Sequence, residues 1–355
     1  MQFDLFGEPL AEKVAAAEKP PRETRAAAVL PAPAVQGTAA LAASLPHTAR
    51  FGTSSWSFAG WAGLVFADPP EPYSDTQLAR QGLAAYAAHP LLRAVGIDRT
   101  FYAPIPESQY RAYVKQARSA NPDFQFLVKA PMLFTGPRLR SDDGAWTDNP
   151  AFLNAHLATA QFVQPATLGL MDACGPLVFQ FPPLGPKFTQ GSRGPQRFAD
   201  ALAEFLLGLP KLAAPACYAV ELRDAELLTE DYLAALCAGG ATHCIGMHAR
   251  MPSAAVQSRY WREAGQAPLV VRWSLHSGFK YEQAKERYAP FNALVDQDPA
   301  GRAEVAALVR EAAAIALPSF VIINNKAEGS APLSIRKLAE LIAEHGDTLV
   351  VPPSV

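Results

Sequence analysis

Cysteine is scarce: Cys174, Cys217, Cys237 and Cys244 are the only four, and no two form a CxxC pair. They read as reduced, structural thiols of a cytoplasmic protein rather than a disulfide framework, with Cys217 and Cys244 in predicted buried strands. Charge is in short supply too. With 31 basic against 33 acidic residues, a net charge of −2 and a charged fraction of 18%, no overall field draws the chain to nucleic acid or a membrane, and such binding needs a local patch. No basic start leads into an apolar segment, and no run of about 18 apolar residues exists, which argues against secretion and membrane spanning. The seven histidines show no HExxH-like spacing. No cofactor is expected, and a divalent metal is not supported by ligand spacing.

What is present is apolar and repetitive. Half of the 355 residues are hydrophobic, enough for a large core, and α/β barrels commonly need about 250 residues as one domain. Phe320-Val321-Ile322-Ile323 is an apolar run without alternation, the mark of a strand buried on both faces. It exits through Asn324, Asn325, Lys326, Gly329 and Ser330 into Pro332 and the helical spacing of Leu333, Ile335, Leu338, Leu341 and Ile342.

The same strand-then-helix unit recurs from residue 50. Strands are expected at 51–55, 94–98, 124–129, 177–181, 218–223, 243–248, 269–273 and 320–323. The third is followed by a long loop with Arg138 and Arg140, and the sixth by a loop with Arg250, Arg259, Tyr260, Trp261 and Arg262. Helical stretches are expected at 281–295 and 302–316 between the last two strands. Eight such units predict a single closed (β/α)8 barrel over 50–345. An open doubly wound sheet would carry a glycine-rich phosphate loop, and Gly52-Thr53-Ser54-Ser55 lacks its spacing. Residues 1–49, with their alanines and prolines, read as a flexible leader, and 346–355 as a tail.

Barrel chemistry gathers at the C-terminal ends of strands. Asp98, Lys129, Gln180, Glu221, Arg223, His248, Arg250, Arg272, Asn325 and Lys326 should therefore converge on one mouth in which cations outnumber carboxylates. A ligand-bearing reading is an anion site, a phosphate or carboxylate, with Arg223 and Arg272 as bidentate clamps and Lys129 as point charge or general acid. Gly329 and Ser330 would add backbone donors at a helix start, with Asn324 beside them. Glu221 is the candidate general base, if no arginine holds it occupied. Trp56, Phe58, Trp61 and Tyr102 could stack on a sugar or base. The structural alternatives are an internal salt-bridge network and an aromatic plug that merely close the barrel end.

Two resemblances add to this. Gly52-Thr53-Ser54-Ser55-Trp56-Ser57, Thr100-Phe101-Tyr102, Val128-Lys129-Ala130, Phe179-Gln180-Phe181-Pro182-Pro183, Val220-Glu221-Leu222-Arg223, Val271-Arg272 and Asn324-Asn325 together resemble the YecE-like proteins of domain-of-unknown-function 72. That resemblance implies a TIM-type barrel and no particular activity. The family usually carries a carboxylate in its second strand where Gly96 stands, a histidine after its third strand where Gly136 stands, and another after Glu221-Leu222-Arg223 where Asp224 stands. At the other end, Gln2-Phe3-Asp4-Leu5-Phe6 resembles the motif that docks bacterial replication and repair proteins on the DNA sliding clamp, with Gln2, Asp4, Leu5 and Phe6 as contacts. Three functions follow as expectations: a barrel protein binding or acting on a small anionic ligand, a clamp-recruited DNA-maintenance factor that binds or cleaves nucleic acid, or a binding protein without catalysis. In the second, Arg138, Arg140, Arg250, Arg259 and Arg262 would track phosphates.

Overall fold

The computed structural model describes residues 28–140, 144–191, 193–276 and 279–344. Eight parallel strands close into a barrel: β1 (Ala49–Thr53), β2 (Ala94–Ile97), β3 (Gln125–Lys129), β4 (Cys174–Gln180), β5 (Cys217–Glu221), β6 (Thr242–Met247), β7 (Leu269–Trp273) and β8 (Ser319–Ile323). Each pairs with its sequence neighbour, and β8 closes on β1 with Ala49 opposite Ser319 and Thr53 opposite Ile323. The expected (β/α)8 architecture is therefore the observed one.

Side chains alternate along each strand. One set, Ala94, Leu127, Val178, Ala219, Cys244, Val270, Phe320 and Ile322, fills the barrel interior. The other set, among them Phe51, Val95, Phe126, Phe179, Val220, Ile245, Val271 and Val321, packs outward beneath the helices in the larger cluster. Both sets are buried, and each large aliphatic or phenyl group so placed contributes about 1.5–3 kcal/mol. This double burial explains why the strands read as continuous apolar runs.

Several elements differ from expectation. The leader does not extend to residue 49: from Val29 the chain lies on the barrel, with Ala32 donating to the Val65 carbonyl and the helix Thr38–Ser44 burying Ala42. Leu41, Ala42 and Leu45 hold it there, an apolar face too short to stand out in an alanine-rich stretch. After β3 the chain forms a short helix, Met132–Thr135, and an antiparallel hairpin of Arg138–Arg140 with Trp146–Asp148. Asn149 ties the base of this hairpin, its amide donating to the carbonyls of Leu133 and Gly136 at 2.7 Å each. The loop expected after β6 is mostly the helix Ala254–Glu263, with Ala254, Gln257, Ser258, Tyr260 and Trp261 buried along it. Before β8 the helices are Tyr281–Tyr288 and Pro299–Ala314, both shorter or displaced from the predicted spans.

Candidate functional site at the barrel mouth

The inward alternation continues past the apolar layer. Two residues beyond Leu127, Val178, Ala219 and Val270 stand Lys129, Gln180, Glu221 and Arg272, so the next layer up is polar and charged. Asp98 and Arg223 follow on the loops leaving β2 and β5.

Arg272 is the hub. Its Nη1 donates to Glu221 Oε2 at 2.5 Å and its Nη2 to Asp98 Oδ2 at 2.5 Å, while Arg223 Nη2 lies 2.6 Å from Glu221 Oε1. Glu221 is 0% exposed and Arg272 4%. Burial works against the Arg272 charge, but Asp98 and Glu221 outweigh it and hold the guanidinium protonated above its ordinary value. Burial alone would raise the Glu221 carboxyl; Arg223, Arg272 and Lys129 reverse that and keep it below the carboxylate range. Both Glu221 oxygens thus face guanidiniums, which anchors the residue as an ionised pivot and leaves no free basic oxygen. The condition placed on it as a general base is not met.

Gly246 makes this pairing sterically feasible. It sits inward on β6, beside Arg272 in the ladder, and a Cβ there would lie 3.2 Å from Glu221 Cγ and 3.3 Å from Oε1. Gly246→Ala is expected to displace the Glu221 carboxylate and lower the melting temperature. An unchanged melting temperature would mean that the pair tolerates the shift.

Gly96 lies below Asp98 on the same inward face, and a Cβ there would already meet Ser54 Cα at 3.2 Å and the Ile322 methyl at 3.3 Å. Position 96 carries no carboxylate; Asp98, two residues higher, is the acidic group that meets Arg272. Gly136 ends the short helix after β3 and bonds back to Met132. Asp224 anchors the β4 exit, accepting from the Leu184 amide at 2.7 Å and lying 3.5 Å from Arg250.

Lys129 is set apart. Among the described residues it makes no ion pair; its Nζ sits 3.5 Å from the centre of the Phe101 ring. The strand end below it is held by Thr100, whose hydroxyl lies 2.5 Å from the Lys129 carbonyl. Burial, and next the Arg272 charge, lower its pKa from 10.5 to about 7. Further hydrogen-bonding capacity is idle around it. Arg223 Nη1, Arg272 Nε, Asp98 Oδ1 and Trp56 Nε1 are buried without a hydrogen-bond partner, and the Gln180 amide makes no hydrogen bond among the described residues.

The rest of the predicted constellation divides. Burial and the nearby Arg223 lower the His248 pKa to about 4, so this ring is neutral at the rim. Lys326 lies 5.9 Å from the Phe291 ring, and burial with Lys285 lowers its pKa to about 8. Asn324 donates to Ser54 Oγ at 2.8 Å, and Asn325 accepts from Trp61 Nε1 at 3.2 Å and from the Ala331 amide at 2.9 Å. That bond caps the helix Ala331–Glu344, and the segment around Ala293 and Val295 covers Gly329, so Gly329 and Ser330 are buried rather than presented to the mouth. Trp56 and Trp61 are buried against Tyr113 and Phe58, which favours the plug over the stacking platform, whereas Tyr102 is 67% exposed. Arg259 is paired with Glu230 and Glu263, and Arg262 with Glu311, so neither is a spare phosphate contact. Gln2, Asp4, Leu5 and Phe6 lie outside the described residues.

Sequence reasoning did not foresee a groove of about 670 Å³ on the barrel's flank, lined by Phe152, Lys187, Phe188, Arg197, Glu204 and Phe205 among others. It lacks the buried, unpartnered charged atoms found at the mouth. Among the described residues no cluster of His, Cys, Asp and Glu is arranged to hold a metal, and no helix is long and apolar enough to cross a membrane.

The family model described as protein of unknown function DUF72 matches residues 50–354. A DUF72 family protein of Thermotoga maritima shares the fold at a TM-score of 0.52 and 16% identity, over 83% of this chain and 99% of that one. A DUF72 family protein of Enterococcus faecalis does so at 0.53 and 13%, over 86% and 99%. No curated protein matches the chain. A match across the whole barrel, with the fold shared by two of the family's solved structures, places this chain in the DUF72 family.

Proposed function

We propose that the barrel mouth binds a small anionic ligand, a phosphate ester or a carboxylate. The observation that carries this reading is an imbalance: among the described residues Lys129, Arg223 and Arg272 face only Asp98 and Glu221, and both carboxylates are already engaged by guanidiniums. Isolated buried charge is costly, so the surplus either sheds a proton or meets an anion. The depressed pKa of Lys129 is the first response, and a bound anion supplies the second. Arg223 Nη1 and the Gln180 amide provide donors that have no other use.

Calorimetric titration with inorganic phosphate tests this. The wild type binds, and Arg223→Met weakens binding by about tenfold to a hundredfold, the worth of one charge-assisted hydrogen bond. Lys129 loses its charge as pH rises through about 7, so the affinity of the wild type relative to Lys129→Met falls from pH 7 to 9, a ratio in which the titration of phosphate itself cancels. Absence of binding by the wild type at every pH overturns the reading. With Arg259 and Arg262 engaged by glutamates, the observations favour a small ligand over a nucleic acid backbone.

A further inference from the structure

We infer that Lys129 is a nucleophile that joins the carbonyl carbon of an anionic oxo compound, a 2-oxo acid or a phosphorylated aldehyde or ketone, as an imine. The inference rests on the anion-binding reading of the same mouth and adds the reactive carbon to it.

Three features of the geometry lead there. The amine is enclosed at the end of an inward-facing strand, and Lys129 as a residue keeps part of its surface exposed. Its neighbours are a phenyl face and the Arg272–Glu221–Arg223 cluster, and among the described residues no carboxylate pairs with it. An amine so placed keeps its lone pair, and a lone pair is what attack on a carbonyl requires. The third feature is Asp98. One oxygen is held by Arg272; the other, Oδ1, is buried and unpartnered, and so is available to take up and return a proton beside the lysine.

The step balances without an oxidant or reductant. The Nζ lone pair forms the C–N bond while the carbonyl π pair takes a proton, giving a carbinolamine. Asp98, which took up the proton shed by the attacking nitrogen, returns it to that hydroxyl, which leaves as water while the nitrogen pair forms C=N; the iminium then keeps its N–H proton or gives it back to Asp98. Amine plus carbonyl yields imine plus water. The iminium charge then lies among Asp98 and Glu221, while the substrate's own anion lies on Arg223.

Borohydride trapping tests the assignment. The full chain is incubated with pyruvate, dihydroxyacetone phosphate or uncharged dihydroxyacetone, reduced, and analysed by intact mass and peptide mapping. The expected result is one adduct at Lys129 from pyruvate or from dihydroxyacetone phosphate, and at least tenfold less from dihydroxyacetone. Pyruvate alone would identify a carboxylate substrate, and the phosphorylated ketone alone a phosphate ester. Lys129→Met and Lys129→Arg lose the adduct, and Lys337→Met, on the outer face of the last helix, keeps it. No adduct from either anion, or labelling spread over surface lysines, overturns the inference. Phosphate calorimetry on the same preparation separates the two failures: phosphate binding without an adduct removes the imine and leaves the anion site, and neither result removes both.

Discussion

Replacing Glu221 by alanine lowers the stability of the barrel by about 3–5 kcal/mol, the usual cost of breaking a buried pair from one side. The carboxylate is 0% exposed and is shared by Arg272 at 2.5 Å and Arg223 at 2.6 Å. Its removal leaves Arg223 without a carboxylate, with only the Ser274 hydroxyl at 3.4 Å, and leaves Arg272 with Asp98 alone. Because the pair lies between β5 and β7 and across Gly246 of β6, the loss falls on strands that close the barrel. Glu221→Gln retains a neutral acceptor of similar shape and should lose less. Urea denaturation of the two variants measures both changes; an Ala variant within about 0.5 kcal/mol of wild type, the range of surface substitutions, would mean that the network is solvated rather than structural.

Lys129→Met acts in the opposite direction, and its effect depends on pH. In the unfolded chain the amine titrates at its ordinary 10.5, and in the fold at about 7. Above pH 10.5 both states are neutral and the lysine is without penalty. As pH falls between these values the unfolded state binds a proton that the folded state does not, so stability is lost steadily; below 7 both are protonated and the full penalty remains. The methionine variant, which never bears this charge, is therefore more stable than wild type at pH 7, and its advantage shrinks toward zero as pH rises to 10.5. Paired denaturation curves at pH 6, 7, 8 and 9 check the sign. A constant difference would show that Lys129 is ionised throughout. A site that sacrifices stability in this way is the kind that is kept for binding or chemistry rather than for packing.

Much of the barrel was legible because its strands are buried on both faces and read as apolar runs of β-branched residues, as in Val270-Val271 and Val321-Ile322-Ile323. The inward polar layer was legible by position: Lys129 and Glu221 stand at the C-terminal ends of their strands, where barrel sites gather. Which groups pair was not, since Arg272 reaches Glu221 and Asp98 across strand registers that local sequence does not reveal. The helix Ala254–Glu263 was hidden by its arginines, although Ala254, Gln257, Ser258, Tyr260 and Trp261 have helical spacing and its N-cap Ser253 accepts from Val256. Gly329 and Ser330 showed the marks of an open helix start; the segment that covers them, around Ala293 and Val295, is remote in sequence and carried no signal of its destination.

If the mouth binds an anion, the surplus cation there is Lys129, and its ionisation reports the binding. Lysines labelled with ¹³C at Cε, with Lys129→Met to assign the signal, let the Lys129 amine be titrated directly by NMR. The account predicts a midpoint near 7 in the free protein and a rise when phosphate is added. A midpoint near 10.5 that phosphate does not move would contradict it.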